Sequence, residues 1–171
     1  NSNFGSKIIV PNLGFFMNNE MDDFSIKPGS PNIYGLIGGN INSIQPEKRM
    51  LSSMTPTIVE KNDKLSMILG SPGGPTIITS VLQTILNVYL FNDNINQAVN
   101  RHRFHHLWLP DKIYYEKNSI NKSTKDSLIK IGYSFNSTSS SIGRVDAIHV
   151  DDNGKIFAAA DPRGDDYSIG E

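Results

Sequence analysis

The chain has 171 residues, 16 Lys and Arg against 17 Asp and Glu, a net charge of −1 and no Cys. One domain of this size, spanning residues 1–171, removes roughly two-thirds of its unfolded surface from water and so has room for a real core. The balanced charge gives no electrostatic case for nucleic acid or an anionic membrane, the missing Cys excludes disulfides, thiolate metal sites and a Cys nucleophile, and no apolar run reaches the length of a membrane span.

Asn1-Ser2-Asn3-Phe4-Gly5 carries no initiator Met and no signal-peptide core, so the expectation is a chain shortened by processing or truncation. Lys7-Ile8-Ile9-Val10 and Gly14-Phe15-Phe16-Met17 are β-prone runs joined by Pro11-Asn12-Leu13, which predicts a hairpin. Residues 18–30 are polar and acidic, with a loop marked by Pro28, Gly29 and Pro31, and residues 32–50 show little periodicity. Strands are predicted over 57–60 and 65–69 around an Asn62-Asp63 turn. A helix follows over 76–91, with Pro75 suited to its first position because its missing N–H would be unpaired there. Ile77, Ile78, Val81, Leu82, Ile85, Leu86, Val88, Tyr89 and Leu90 wrap most of that cylinder, which predicts burial between a sheet and another layer. Asn94 is the expected cap of a shorter helix reaching about Arg103. Residues 112–116 alternate as a strand, Ser123 is the expected cap of a third helix ending at Gly132, and 144–150 with 155–160 form a last hairpin across Asp151-Asp152-Asn153-Gly154. The mixture, rich in hairpins, predicts an α+β fold with an antiparallel sheet and packed helices.

Three polar clusters carry candidate chemistry. In Asn18-Asn19-Glu20-Met21-Asp22-Asp23-Phe24, Glu20 and Asp23 are three apart, so in a turn both point at one cation, an amino group above all; a solvated acidic loop is the plain alternative. In Leu51-Ser52-Ser53-Met54-Thr55-Pro56, two hydroxyls ahead of a strand can donate to a carboxylate, or simply open the strand. In Ser71-Pro72-Gly73-Gly74-Pro75, adjacent glycines between strand and helix allow close approach to peptide N–H groups, which suits an anion or the oxyanion of acyl transfer, or a tight turn alone. Together the three describe a pocket that reads an α-amino acid.

Those segments, with Arg103-Phe104-His105-His106-Leu107-Trp108-Leu109-Pro110-Asp111 and Asp161-Pro162-Arg163, resemble the small subunit of γ-glutamyltranspeptidases (glutathione hydrolases) over essentially the whole chain. The resemblance implies the αββα sandwich of N-terminal-nucleophile hydrolases, and self-cleavage of a precursor into two subunits. It also implies attack on a γ-glutamyl bond by a new N-terminal Thr, with the acyl group passed to water, an amino acid or a peptide. By position it assigns Asn1, Glu20 and Asp23 to the substrate α-amino group, Ser52 and Ser53 to its α-carboxylate, and the Gly73 and Gly74 N–H groups to the oxyanion hole. Pro75 has no N–H to give and departs from the small polar residue common there. The implied partners are the large subunit of the same precursor and glutathione or another γ-glutamyl compound, with no cofactor or metal, in a periplasmic, secreted or cell-surface setting.

The nucleophilic Thr, its supporting Thr and a carboxylate-pairing Arg are expected outside this chain, so residues 1–171 alone are expected to be inactive. A related acylase or poly-γ-glutamate depolymerase, and a non-catalytic homologue or binding module of the same fold, are the alternatives; Ser52-Ser53 with Asp23 favours a free γ-glutamyl group. Other features carry less. His102 and His106 have metal spacing on a helix but lack a third ligand. His149 stands alone. Arg163-Gly164-Asp165 and Asp151-Asp152-Asn153-Gly154 read as turns, and Asn121-Lys122-Ser123 and Asn136-Ser137-Thr138 are sequons of a kind that chance supplies.

Overall fold

A computed structural model describes residues 4–137 and 140–170, and the chain divides into two units, Asn1–Ser53 and Met54–Glu171. In the first, the predicted hairpin shrinks to one antiparallel bridge, Ile9 to Phe16. Val10 N donates to Phe15 O and Met17 N to Ile8 O, but among the described residues no third strand extends the ladder, and Ile8, Ile9, Phe15 and Phe16 stay exposed. An isolated two-stranded ribbon has too little buried area to lengthen. Short 3-10 turns at Glu20–Asp23 and Asn40–Asn42 punctuate the remainder. Phe24 is the buried hydrophobic side chain among the described residues of this unit.

The second unit is built on an antiparallel sheet. Strands β1 (Thr57–Lys61) and β2 (Lys64–Gly70) form the expected hairpin. Asn62 and Asp63 turn it with φ of 54° and 58°, the left-handed pair that matches strand twist. After β2 come α1 (Thr76–Tyr89), which Pro75 precedes with helical φ and ψ but no side-chain cap, and α2 (Ile95–Asn100). Asn94 caps α2 in a full capping box with Gln97. α2 ends before Arg103, whose backbone is drawn away by Glu116. Next are β3 (Phe104–Trp108), β4 (Asp111–Tyr115), α3 (Lys122–Lys130), β5 (Phe135–Ser137), β6 (Asp146–Val150) and β7 (Ile156–Ala159). The order in the larger sheet is β1-β2-β6-β7.

Strand alternation gives that sheet two faces. Val59, Met67, Leu69, Ala147 and Ala159 meet α1 and α2 in the core. On the other face Ile58, Ile68, Ile148 and Ala158 stand in register across all four strands, with the first three 68%, 40% and 40% exposed.

Three local expectations are corrected. The smaller sheet, β3-β4-β5, is not wholly antiparallel: β4 and β5 run parallel, which a crossover makes possible and α3 supplies. The cap of α3 is Asn121, whose Oδ1 accepts from Thr124 N at 2.8 Å; it lies two residues before Ser123 and is at least as good a cap. α1 is buried on one side rather than most: Ser80 and Thr84 are fully buried while Ile78 and Leu82 are 61% and 51% exposed. The buried hydroxyls are satisfied by carbonyls one turn back, Thr76 O and Ser80 O, so they cost little to bury.

Four charges lie inside this unit. Arg103 NH2 meets Asp161 Oδ2 at 2.7 Å, and Arg163 holds Glu116 at 2.7 Å and Asp161 at 3.0 Å. Glu116 also accepts from Arg103 N and Ile142 N, and Asp161 from Val145 N. His102 Nδ1 stands 3.8 Å from Glu116 Oε2. Burial alone pushes both carboxyls up, yet the Arg163 guanidinium with two N–H donors at Glu116, and the Val145 N–H with Arg103 at Asp161, hold both below their ordinary values. Depressed folded-state pKa values give stability that is complete above the unfolded values, about 4.3 for Glu and 3.9 for Asp, and is lost as pH falls through the lower folded values. The part of the urea midpoint that these carboxyls supply should therefore stay level from pH 7 to about 5 and fall steeply below about pH 4, on top of a decline from about pH 6.5 shared by parent and variant, because buried His105, held below its ordinary pKa, protonates first in the unfolded chain; Glu116→Gln should lower the curve and flatten its acid limb, and an unchanged acid limb would contradict this account.

Candidate active site

Two of the residues singled out in the first unit, Asp23 and Ser53, are brought together. Asn18 Oδ1 accepts from Glu20 N at 3.1 Å, an Asx turn that starts the Glu20–Asp23 turn. Phe24, 7% exposed, anchors the end of that turn. Asp23 is thereby held half-buried, and Ser53 Oγ, thirty residues on, donates to its Oδ2 at 2.9 Å. Glu20 shares the turn and is also half-buried; Ser52 is exposed beside Ser53. Asn1 lies outside the described residues.

Asn42 makes this convergence possible and was not singled out from the sequence. Its Nδ2 donates to Asp23 O at 2.7 Å, its Oδ1 accepts from Leu51 N at 3.1 Å, and its own carbonyl accepts from Ser25 N at 2.8 Å. One amide side chain thus ties the acidic turn to the serine stretch. The only sequence signal was a polar residue inside an aperiodic segment, too weak to single it out. The product is a carboxylate with one lone pair taken by the Ser53 hydroxyl and others able to accept from a cation.

Gly73 and Gly74 belong to the second unit, where β2 turns into α1. Their φ values are 137° and 56°, a left-handed backbone that L side chains rarely adopt. A Cβ on Gly73 would lie 2.7 Å from Thr76 Oγ1 and 3.3 Å from Gly143 Cα, so space as well as dihedral angle demands glycine. The Gly73 carbonyl faces the helix and accepts from Thr76 N and Oγ1, and Gly74 O accepts from Ile77 N. Neither glycine N–H is donated to another described residue. The turn can therefore offer adjacent peptide donors to an anion.

Beside α1, Gln83 grips the β3 backbone, donating to Phe104 O at 2.7 Å and accepting from Phe104 N at 3.2 Å. His105 is buried with Nδ1 2.8 Å from Thr79 Oγ1. Burial, then the neighbouring His106, holds its pKa below the usual histidine value, so it is a neutral structural partner. The metal spacing considered for His102 and His106 assumed a helix; His106 is on strand β3, bonded to Asp111 at 2.7 Å. Among the described residues no group of three or more His, Cys, Asp or Glu is placed to hold a metal ion.

The chain matches the family model described as gamma-glutamyltranspeptidase over residues 1–170. It is 43% identical to the glutathione hydrolase proenzyme of Escherichia coli (strain K12) across 99% of this chain and 29% of the relative. Among solved structures it is similar to the Helicobacter pylori gamma-glutamyltranspeptidase T380A mutant, with 48% identity, a TM-score of 0.86, and coverage of 96% of this chain and 89% of that one. It is also similar to gamma-glutamyltranspeptidase from Pseudomonas nitroreducens complexed with L-DON, with 41% identity, a TM-score of 0.85, and coverage of 100% and 89%. The chain spans under a third of the length of the curated relatives it matches. Its α+β architecture is that of the N-terminal-nucleophile hydrolases, and the chain belongs to the gamma-glutamyltranspeptidase family.

Proposed function

We propose that these residues form the substrate-binding portion of a γ-glutamyltransferase and glutathione hydrolase, working with the large subunit of the same precursor. The observation that carries the reading is the 2.9 Å hydrogen bond between Ser53 and Asp23. It sets a carboxylate and a hydroxyl side by side, the complement of an ammonium and a carboxylate on one carbon. In this reading Asp23 and Glu20, with Asn1, hold the α-amino group of the γ-glutamyl donor, whose ammonium takes the place of the Ser53 O–H at Asp23 Oδ2, and Ser52 with the Ser53 O–H so released holds its α-carboxylate. The nucleophile belongs to the longer chain. It attacks the γ-carbonyl carbon, the carbonyl π pair moves to oxygen, and the Gly73 and Gly74 N–H groups stabilise that oxyanion. Collapse expels the amine with a proton, leaving an acyl-enzyme that water or an amino acid then cleaves.

A covering subunit suits the apolar surface. The Ile58, Ile68 and Ile148 row and the outward residues Ile78 and Leu82 of α1 are large hydrophobics left exposed among the described residues, a pattern that marks an interaction surface. No helix of the described residues is long and apolar enough to cross a membrane. The periplasmic, secreted or cell-surface setting rests on the family resemblance.

The tests use the full-length chain and a γ-glutamyl anilide. Asp23→Ala should raise KM about 10- to 100-fold, the size expected for a lost charged partner, with kcat changed far less; an unchanged KM would remove Asp23 from the site. Gly74→Pro deletes a donor and, fixed at φ near −65°, also reshapes a turn that needs φ 56°, so it should lower kcat at least about 10²- to 10³-fold, while Gly74→Ala, which keeps the N–H at the cost of backbone strain, should lose less. Equal turnover by both variants would refute the oxyanion assignment.

A further inference from the structure

The buried charges and the glycine turn are joined by one short backbone segment, residues 142–145. Its polar groups are taken one after another. Ile142 N donates to Glu116 Oε1 at 2.9 Å, and Ile142 O accepts from Arg103 NH1 at 3.1 Å. Arg144 N donates to Ser71 Oγ at 2.9 Å, and Val145 N donates to Asp161 Oδ2 at 2.7 Å. Gly143, between them, has φ 65° and no room for a side chain: a Cβ there would collide with Ser80 Oγ and lie 3.1 Å from Ser71 Oγ. Gly73 rests on Gly143 in turn, since its own added Cβ would come within 3.3 Å of Gly143 Cα. Ser71 is 4% exposed and also donates to Pro72 O at 2.7 Å. The chain of contacts therefore runs from the ion network, through 142–145 and Ser71, to the turn.

We propose that the Arg103, Glu116, Asp161 and Arg163 network sets the position of the Gly73-Gly74 turn through residues 142–145, making Glu116 and Ser71 positioning residues for γ-glutamyl transfer. The inference rests on reading that turn as the oxyanion site. Oxyanion stabilisation depends on donors fixed before charge develops, and a misplacement of about 1 Å costs on the order of 10²-fold in rate. Glu116 fixes Ile142 directly. Ser71 fixes Arg144 without touching the ions, so the two reach the turn by separate routes.

The experiment compares Glu116→Gln and Ser71→Ala with the parent in the full-length chain, by amide hydrogen exchange at 142–145 and at Thr76 and Ile77, whose N–H groups close the turn onto Gly73 O and Gly74 O, and by steady-state kinetics at a temperature where all are folded. Ser71→Ala leaves the buried charges paired and keeps the test available if Glu116→Gln does not fold. The expected result is faster exchange in both segments, kcat lowered roughly 10-fold or more, and KM within about twofold, because the loss falls on the transition state. Faster exchange at 142–145 with Thr76 and Ile77 unchanged would overturn the inference and leave the oxyanion reading intact. Faster exchange in both segments with unchanged kcat would uphold the mechanical link and overturn the oxyanion reading instead.

Discussion

The second unit depends on two guanidiniums and two carboxylates closed into one buried network. Arg103 and Asp161 are 2% and 0% exposed, and every charge has an opposite partner and further hydrogen bonds to backbone. Such a network adds little net stability relative to a well-packed apolar equivalent, because desolvating ions offsets most of their attraction. Its effect is geometric. Val99 O at the end of α2, the β3 entry at Arg103, the β4 exit at Glu116, the β7 exit at Asp161 and the segment at 142–145 must all meet the same four side chains. Removing any one member leaves a buried charge uncompensated, so the arrangement admits few alternatives.

The first unit works by the opposite economy. It has a single buried hydrophobic anchor, Phe24, among its described residues, and its order comes from local side-chain to backbone bonds at Asn18, Asn32 and Asn42. Hydrogen bonds of this kind contribute about 1 kcal/mol each and compete with water. They hold Asp23 beside Ser53 without enclosing them, which suits a polar recognition surface reached by a charged ligand. The second unit is thus held by a closed ionic network, and the first by polar contacts that leave its side chains largely open to solvent.

What the sequence made legible was local. The Asn62-Asp63 hairpin, the helix starting beside Pro75 and the Asn94 cap each follow from residues within a few positions, and all three are present. Asp23 and Ser53 were each singled out, for an ammonium and for a carboxylate, but the hydrogen bond between them, thirty positions apart, was not anticipated. Strands β3 and β5 escaped because one carries consecutive histidines without clean alternation and the other is three residues long and held by a parallel neighbour. The ion network could not be read at all: Arg163 and Glu116 are 47 positions apart, and neither has a local pattern that marks it as buried.

The helix that misled the pattern reading explains why the glycine turn can sit where it does. Counting apolar residues around α1 predicted burial on most sides, yet the face turned inward at its start carries Ser80 at 0% exposure. A larger side chain there would push away Gly143, which has no space beyond Ser80 Oγ. Gly143 must come close for Gly73 to rest on it, and Gly73 must itself be bare to accept that approach. Small residues on three separate segments are therefore one requirement rather than three. The hydrophobic pattern of α1 records how the helix is covered, while its serine records how closely the backbone of 142–145 is allowed to approach, and only the second bears on the position of the turn.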